Sequence, residues 1–139
     1  MQRELDTFIA GWEDGPLQVK KSFVLLKNYV AGKNDITFTF KARPGVSYSL
    51  RAKHALQSKR ELFVIIDVID DPENRWLSIC FYPDMITDPD DTGVLIPLGL
   101  LGEDGYCFDF EEWDEEYLEY LKNRLDEAYE KASSYNIQA

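Results

Sequence analysis

The chain has 139 residues, a length that suits one domain able to bury its own core, and 45% of it is hydrophobic with 14% aromatic. That composition makes metal or disulfide staples unnecessary for folding and confines the expected disorder to the ends. The formal net charge of −11 is uneven: residues 1–65 hold 11 Lys/Arg against 6 Asp/Glu, residues 66–139 hold 4 against 20, and so anionic a whole disfavours non-specific binding to nucleic acid or anionic lipid.

Residues 1–6 are charged and lack the apolar run of a signal peptide. The longest apolar run, Leu62 to Ile66, is far too short to span a bilayer, so a soluble, cytoplasmic protein is expected. Leu5, Phe8, Ile9 and Trp12 recur at helical spacing and predict a helix over 2–13. Asp14, Gly15 and Pro16 break it. Pro16 suits the first turn of a second helix, whose buried stripe is Val19, Phe23, Leu26 and Val30 and whose end is Gly32.

From Asp35 the period changes to two. Ile36, Phe38 and Phe40 face one way and Thr37, Thr39 and Lys41 the other, which is the pattern of a half-buried strand. Pro44 and Gly45 are the central residues a type II turn requires, so a return strand is expected with Val46, Tyr48, Leu50 and Ala52 on the apolar face. Leu62 to Ile69 is nearly continuous apolar and β-branched, as in a central strand covered on both faces. The turn Asp70–Asn74 leads to a strand over 75–82.

Residues 83–93 read as a loop too polar to pack. Val94 to Ile96 is a short strand ended by Pro97, and Tyr106 to Phe110 is another after a turn at Asp104–Gly105. The longest helix is expected over 111–133, with acidic residues at its start and Lys131 near its end, as its dipole favours. Residues 135–139 are expected to fray. The whole is an α+β domain: a mostly antiparallel sheet of four to six strands with two N-terminal helices and one long C-terminal helix packed on one face.

Several groups carry chemistry. Asp88, Asp90, Thr92 and Gly93 reproduce the opening spacing of a calcium loop, in which alternate oxygens converge on a hard cation. The twelfth position is Gly99 instead of the bidentate Glu, so an EF-hand is excluded, while Asp88, Asp90 and Asp91 remain candidate ligands for a divalent cation. Asp67 lies inside an apolar strand and needs a partner, for which Arg51 and Arg75 are the candidates; a carboxylate held there is a candidate functional acid.

Lys41, Arg43, Arg51 and Lys53 share the polar face of the first hairpin with Thr and Ser hydroxyls, a set able to grip a small anionic ligand. His54 is the single histidine and stands in no triad or zinc motif, so it is expected as a rim residue. Cys80 and Cys107, each in an apolar strand, are either two buried free thiols or one bridge between adjacent strands. The glycine-rich run 99–105 reads as a flexible loop whose exposed Leu100 and Leu101 offer a contact point, and Trp113, Tyr117 and Tyr120 offer another.

The expected function is a non-enzymatic protein-binding or regulatory module acting through the acidic loops and the 99–105 tip, with a protein partner or self-association and no cofactor. Two alternatives differ in class. One is a metal-assisted hydrolase or small-ligand-binding protein, with Asp67, Asp88, Asp90 and Asp91 on Mg²⁺ or Ca²⁺ and Arg51 on an anionic substrate. The weaker one is anion or nucleic-acid binding on the basic hairpin.

Overall fold

The structure is a computed structural model that describes residues 2–135. Helix α1 spans Gln2–Gly11 and α2 spans Val19–Ala31. Six strands follow: β1 (Ile36–Arg43), β2 (Ser47–His54), β3 (Val64–Ile69), β4 (Trp76–Phe81), β5 (Val94–Leu100) and β6 (Glu103–Phe110). Helix α3 (Glu115–Ser134) closes the chain. All strand pairs are antiparallel, in the order β1-β2-β3-β4-β6-β5, so β6 is inserted between β4 and its own predecessor β5, which becomes an edge.

The α+β fold with all helices on one sheet face is as the periodicity requires. Register places Phe40, Leu50, Ile66, Ile79 and Phe108 in one row across the sheet, and all five are buried. Residues two positions away in each strand share that face, because the side-chain period is two. Phe8 of α1 stacks on Tyr48 at 4.1 Å between ring centroids, and Phe110 and Phe108 meet Tyr117 and Tyr120 of α3 at 5.9 and 6.3 Å. Nearly all the buried apolar side chains of the described residues form one cluster, most of it between this face and the helices, while Ile65 and Cys80 lie on the other face beside Arg51.

Local chemistry sets most boundaries. The Arg43–Val46 turn closes with Val46 N–H donating to Arg43 O at 2.9 Å, and Gly45 takes the positive φ of 82° that a type II turn needs. Asp114 caps α3 by accepting from Tyr117 N–H at 3.1 Å, so this helix starts at Glu115 and residues 111–114 are a lead-in, not its first turn. Pro16 lies before α2, not in it; Asp14 does the capping from a distance, accepting from the N–H groups of Lys20 and Lys21 at 3.1 and 3.2 Å.

Four further sequence expectations are corrected. Strand β5 continues through Pro97, which an edge position permits because no neighbour needs its missing N–H. The 99–105 run is a hairpin: its turn is Leu101–Gly102, and Asp104 and Gly105 lie inside β6. Val46 is exposed, just outside β2. The 83–93 loop packs after all, through a 3-10 turn at Pro83–Met85 that buries Met85. Of the residues expected to fray, Tyr135 is held, its carbonyl accepting from Ser58 N–H at 3.0 Å, and 136–139 lie outside the described residues.

Candidate functional site

The two faces of the sheet separate the candidate groups. On the face away from the helices, Lys41, Arg43, Arg51 and Lys53 stand opposite Ser49, Ser47, Thr39 and Thr37. Asp67 lies in the same row as Ser49 and Ser78. Arg43 leans on Ser47 Oγ at 3.4 Å and Arg51 Nε donates to Ser49 Oγ at 3.2 Å, so both cations lie along the sheet. The basic hairpin and the candidate acid thus belong to one patch.

Burial pushes the Asp67 carboxyl above its ordinary 3.8, against the pull of Ser49, Arg51 and Arg43. One of its oxygens, Oδ1, is buried without a hydrogen-bond partner. Arg75, the other expected partner, is elsewhere. Its guanidinium pairs with Asp70 at 3.0 Å and sits about equally far from the rings of Phe8, Trp12 and Tyr48, at 5.2, 5.2 and 5.1 Å, filling an aromatic box of the protein's own making.

The sign of the Asp67 effect follows from its raised pKa. The protonated form fits the fold better, so its contribution is full below the unfolded value near 3.8 and is lost as pH rises through the folded one. Asp67→Asn is therefore expected to raise the melting temperature near neutral pH and to leave it unchanged in acid. A loss of stability near neutral pH, measured by thermal unfolding, would show that Arg43 and Arg51 hold the carboxylate ionised.

Asp88 stands on the opposite side of the sheet, under α3. Its Oδ2 accepts from Tyr106 Oη at 2.6 Å and from Gly93 N–H at 2.8 Å; its Oδ1 accepts from Tyr120 Oη and from Thr92 N–H at 3.2 Å. Burial opposes the charge, but these donors outweigh it and take the carboxyl from 3.8 down to about 2. The same hydrogen bond pushes the Tyr106 phenol up to about 12.

The donors occupy both oxygens of Asp88, and Asp90 and Asp91 are exposed on the loop. Among the described residues, no group of three or more His, Cys, Asp or Glu is gathered in a way that would hold a metal ion. Asp67 and the acidic loop, the proposed shared ligands of a hydrolase, are on opposite faces of the sheet. What Asp88 does visibly is to tie the 83–93 loop to β6 and α3.

His54 is 1% exposed, not at a rim. Its Nδ1 accepts from Leu56 N–H at 3.1 Å, which leaves the Nε2 proton to donate to Ser133 Oγ at 2.9 Å, and this pins β2 to α3. Cys80 and Cys107 are directly paired across β4 and β6 and form the bridge, with Cα atoms 4.1 Å apart, so the reading as free thiols is corrected.

Sequence reasoning missed Arg124. It is 7% exposed, pairs with Glu127 at 2.8 Å and lies 4.4 Å from the centre of the Tyr120 ring, holding that tyrosine beside Asp88. Glu127 in turn accepts from Thr87 N–H at 3.0 Å. The i, i+3 spacing of Arg124 and Glu127 was the available signal, but nothing local says that an arginine on a charged helix is covered.

The β5–β6 hairpin is where the surface departs most from expectation. Val94, Leu95, Ile96, Leu98 and Leu101 are all exposed along this one edge. Leu100, expected outside, is buried and roots the tip in the core. Both ends of β5 are acidic, with Asp90 and Asp91 before it and Glu103 and Asp104 after. No described helix is long and apolar enough to cross a membrane. In comparisons with known proteins, no family model, no curated protein and no solved structure matches this chain.

Proposed function

We propose that this chain is a non-enzymatic protein-binding module whose contact surface is the β5–β6 hairpin, with the acidic 84–92 loop beside it. The observation that carries this reading is the set of exposed apolar side chains Val94, Leu95, Ile96 and Leu98 on the edge strand and Leu101 in its turn, where scattered single exposures would be ordinary. The groups that suggested chemistry have other duties: Asp88 anchors a loop, His54 joins β2 to α3, and Arg75 fills an aromatic box.

A photo-crosslinking residue placed at Leu95, in cells that express the chain, tests the reading, with the same residue at Lys41 on the basic hairpin as reference. A discrete protein adduct from position 95 and none from position 41 is expected. If position 95 yields no discrete adduct, or both positions yield the same ones, the hairpin is not a specific contact surface.

A further inference from the structure

We infer that Leu98 and Leu101 are the contact residues proper, and that their partner is a protein presenting an apolar groove rimmed by Lys and Arg; the inference rests on the binding reading above and names the partner's chemistry.

The backbone supplies the argument. Leu98 has φ 54° and Leu101 φ 51°, in the left-handed region that a side chain with a Cβ enters at a cost. Leu101 and Gly102, at φ 51° and 85°, are the two central residues of a tight turn between the paired Leu100 and Glu103. Positive φ at both positions calls for Asn or Asp followed by Gly, and this chain has the glycine but puts a leucine where the asparagine belongs. Leu98 is 72% exposed and Leu101 55%, so neither leucine gains burial in return. Asparagine would relax the backbone and suit water better at both positions. A local rule broken twice within four residues, both times to hold an aliphatic side chain in solvent, marks a surface shaped for something outside the chain.

The geometry also restricts the mode of contact. Pro97 lacks an N–H, the register shifts between Ile96 and Leu100, and Leu98 N–H is taken by Asp104 Oδ1 at 3.0 Å. A regular free edge is therefore limited to Val94–Ile96, too short for an added strand to carry recognition. Contact falls to side chains entering a groove. The rim chemistry follows from charge: Asp90, Asp91, Glu103 and Asp104 flank the apolar run, and two cations are already held at its side, Arg60 by Glu103 at 3.1 Å and Asp84 at 2.7 Å and Lys59 by Asp84 at 3.0 Å. A second copy docking through this surface would bring like charges together, and an anionic membrane would repel it; a cationic groove complements it.

The test uses the full chain with the crosslinker at position 95 and compares the native tip with Leu98→Asn/Leu101→Asn. The double variant is expected to keep or raise the melting temperature, because asparagine tolerates the left-handed region, and to lower adduct yield about tenfold or more. Mass-spectrometric mapping of the partner should place the crosslink in an apolar groove flanked by Lys or Arg. A lower melting temperature in the variant would overturn the strain argument. An adduct that maps to a second copy, a lipid or an acidic surface would overturn the assigned partner chemistry. An undiminished adduct in the double variant would sink this inference and leave the broader binding reading standing, whereas no adduct from position 95 in the native chain would sink both.

Discussion

Reduction of the Cys80–Cys107 bridge is expected to lower the free energy of unfolding by about 3 kcal/mol. The two cysteines are 27 residues apart, and in the loop-closure model a cross-link of that span removes denatured-state entropy worth about 3.5 kcal/mol at room temperature. Little native packing is lost with it. Strands β4 and β6 remain in register through Leu77↔Phe110, Ile79↔Phe108 and Phe81↔Tyr106, whose side chains lie on the other, helix-covered face. The effect should therefore appear as a shift in stability without a change of fold.

Urea unfolding with and without reductant measures it, with Cys80→Ala/Cys107→Ala as the control that should no longer respond to reductant. Alkylation of the purified native chain followed by mass spectrometry checks the premise, since two modified thiols without prior reduction would remove the bridge altogether. Alkylation in intact cells extends the result. A bridge that persists there indicates an oxidising compartment, whereas rapid reduction indicates a reducing one.

Apart from loss of the bridge, Asp88→Ala should be the most damaging change outside the apolar core, with a loss of about 2 kcal/mol. The carboxylate is the common acceptor for two phenols and two backbone N–H groups, and its removal leaves the 83–93 loop without its tie to Tyr106 and Tyr120. Part of the loss depends on pH. The folded pKa near 2 lies below the unfolded 3.8, so the ionised group's contribution is complete above about pH 4 and disappears as pH falls towards 2. Discounted for solvent screening, that part is about 1–2 kcal/mol. The native chain should lose stability across that acid range and Asp88→Ala should lose correspondingly less. Parallel acid arms in the two proteins, followed by circular dichroism, would show that Asp88 is not the acid-sensitive anchor.

Much of the fold was legible because its signals are local. Alternation from Ile36 to Lys41, the Pro44–Gly45 pair and the 3.6-residue stripes of α2 and α3 each report a preference that a short segment satisfies by itself. Boundaries slipped where a side chain decided them at a distance: Asp14 reaches forward to Lys20 and Lys21, and Asp114 rather than the acidic run before it starts α3. The proposed contact surface was half legible. Leu101 in a glycine-rich run could be read as exposed, but its neighbour Leu100 is buried and Leu98 was passed over, because burial alternates with a register that only pairing to β6 sets.

By itself, then, the amino-acid order determined the class, the helices, the first hairpin and the charge imbalance, all of which follow from residue-by-residue propensity and period. The tertiary structure alone decided that β6 enters between β4 and β5, and three consequences hang on that insertion: Cys80 meets Cys107, Tyr106 comes within reach of Asp88, and β5 is left as the edge. The physical reason is that strand neighbours are chosen by the burial of whole faces, a contest among distant segments. A one-place change of register or partner turns every side chain to the other side of the sheet, and no short stretch of chain carries a signal for that choice.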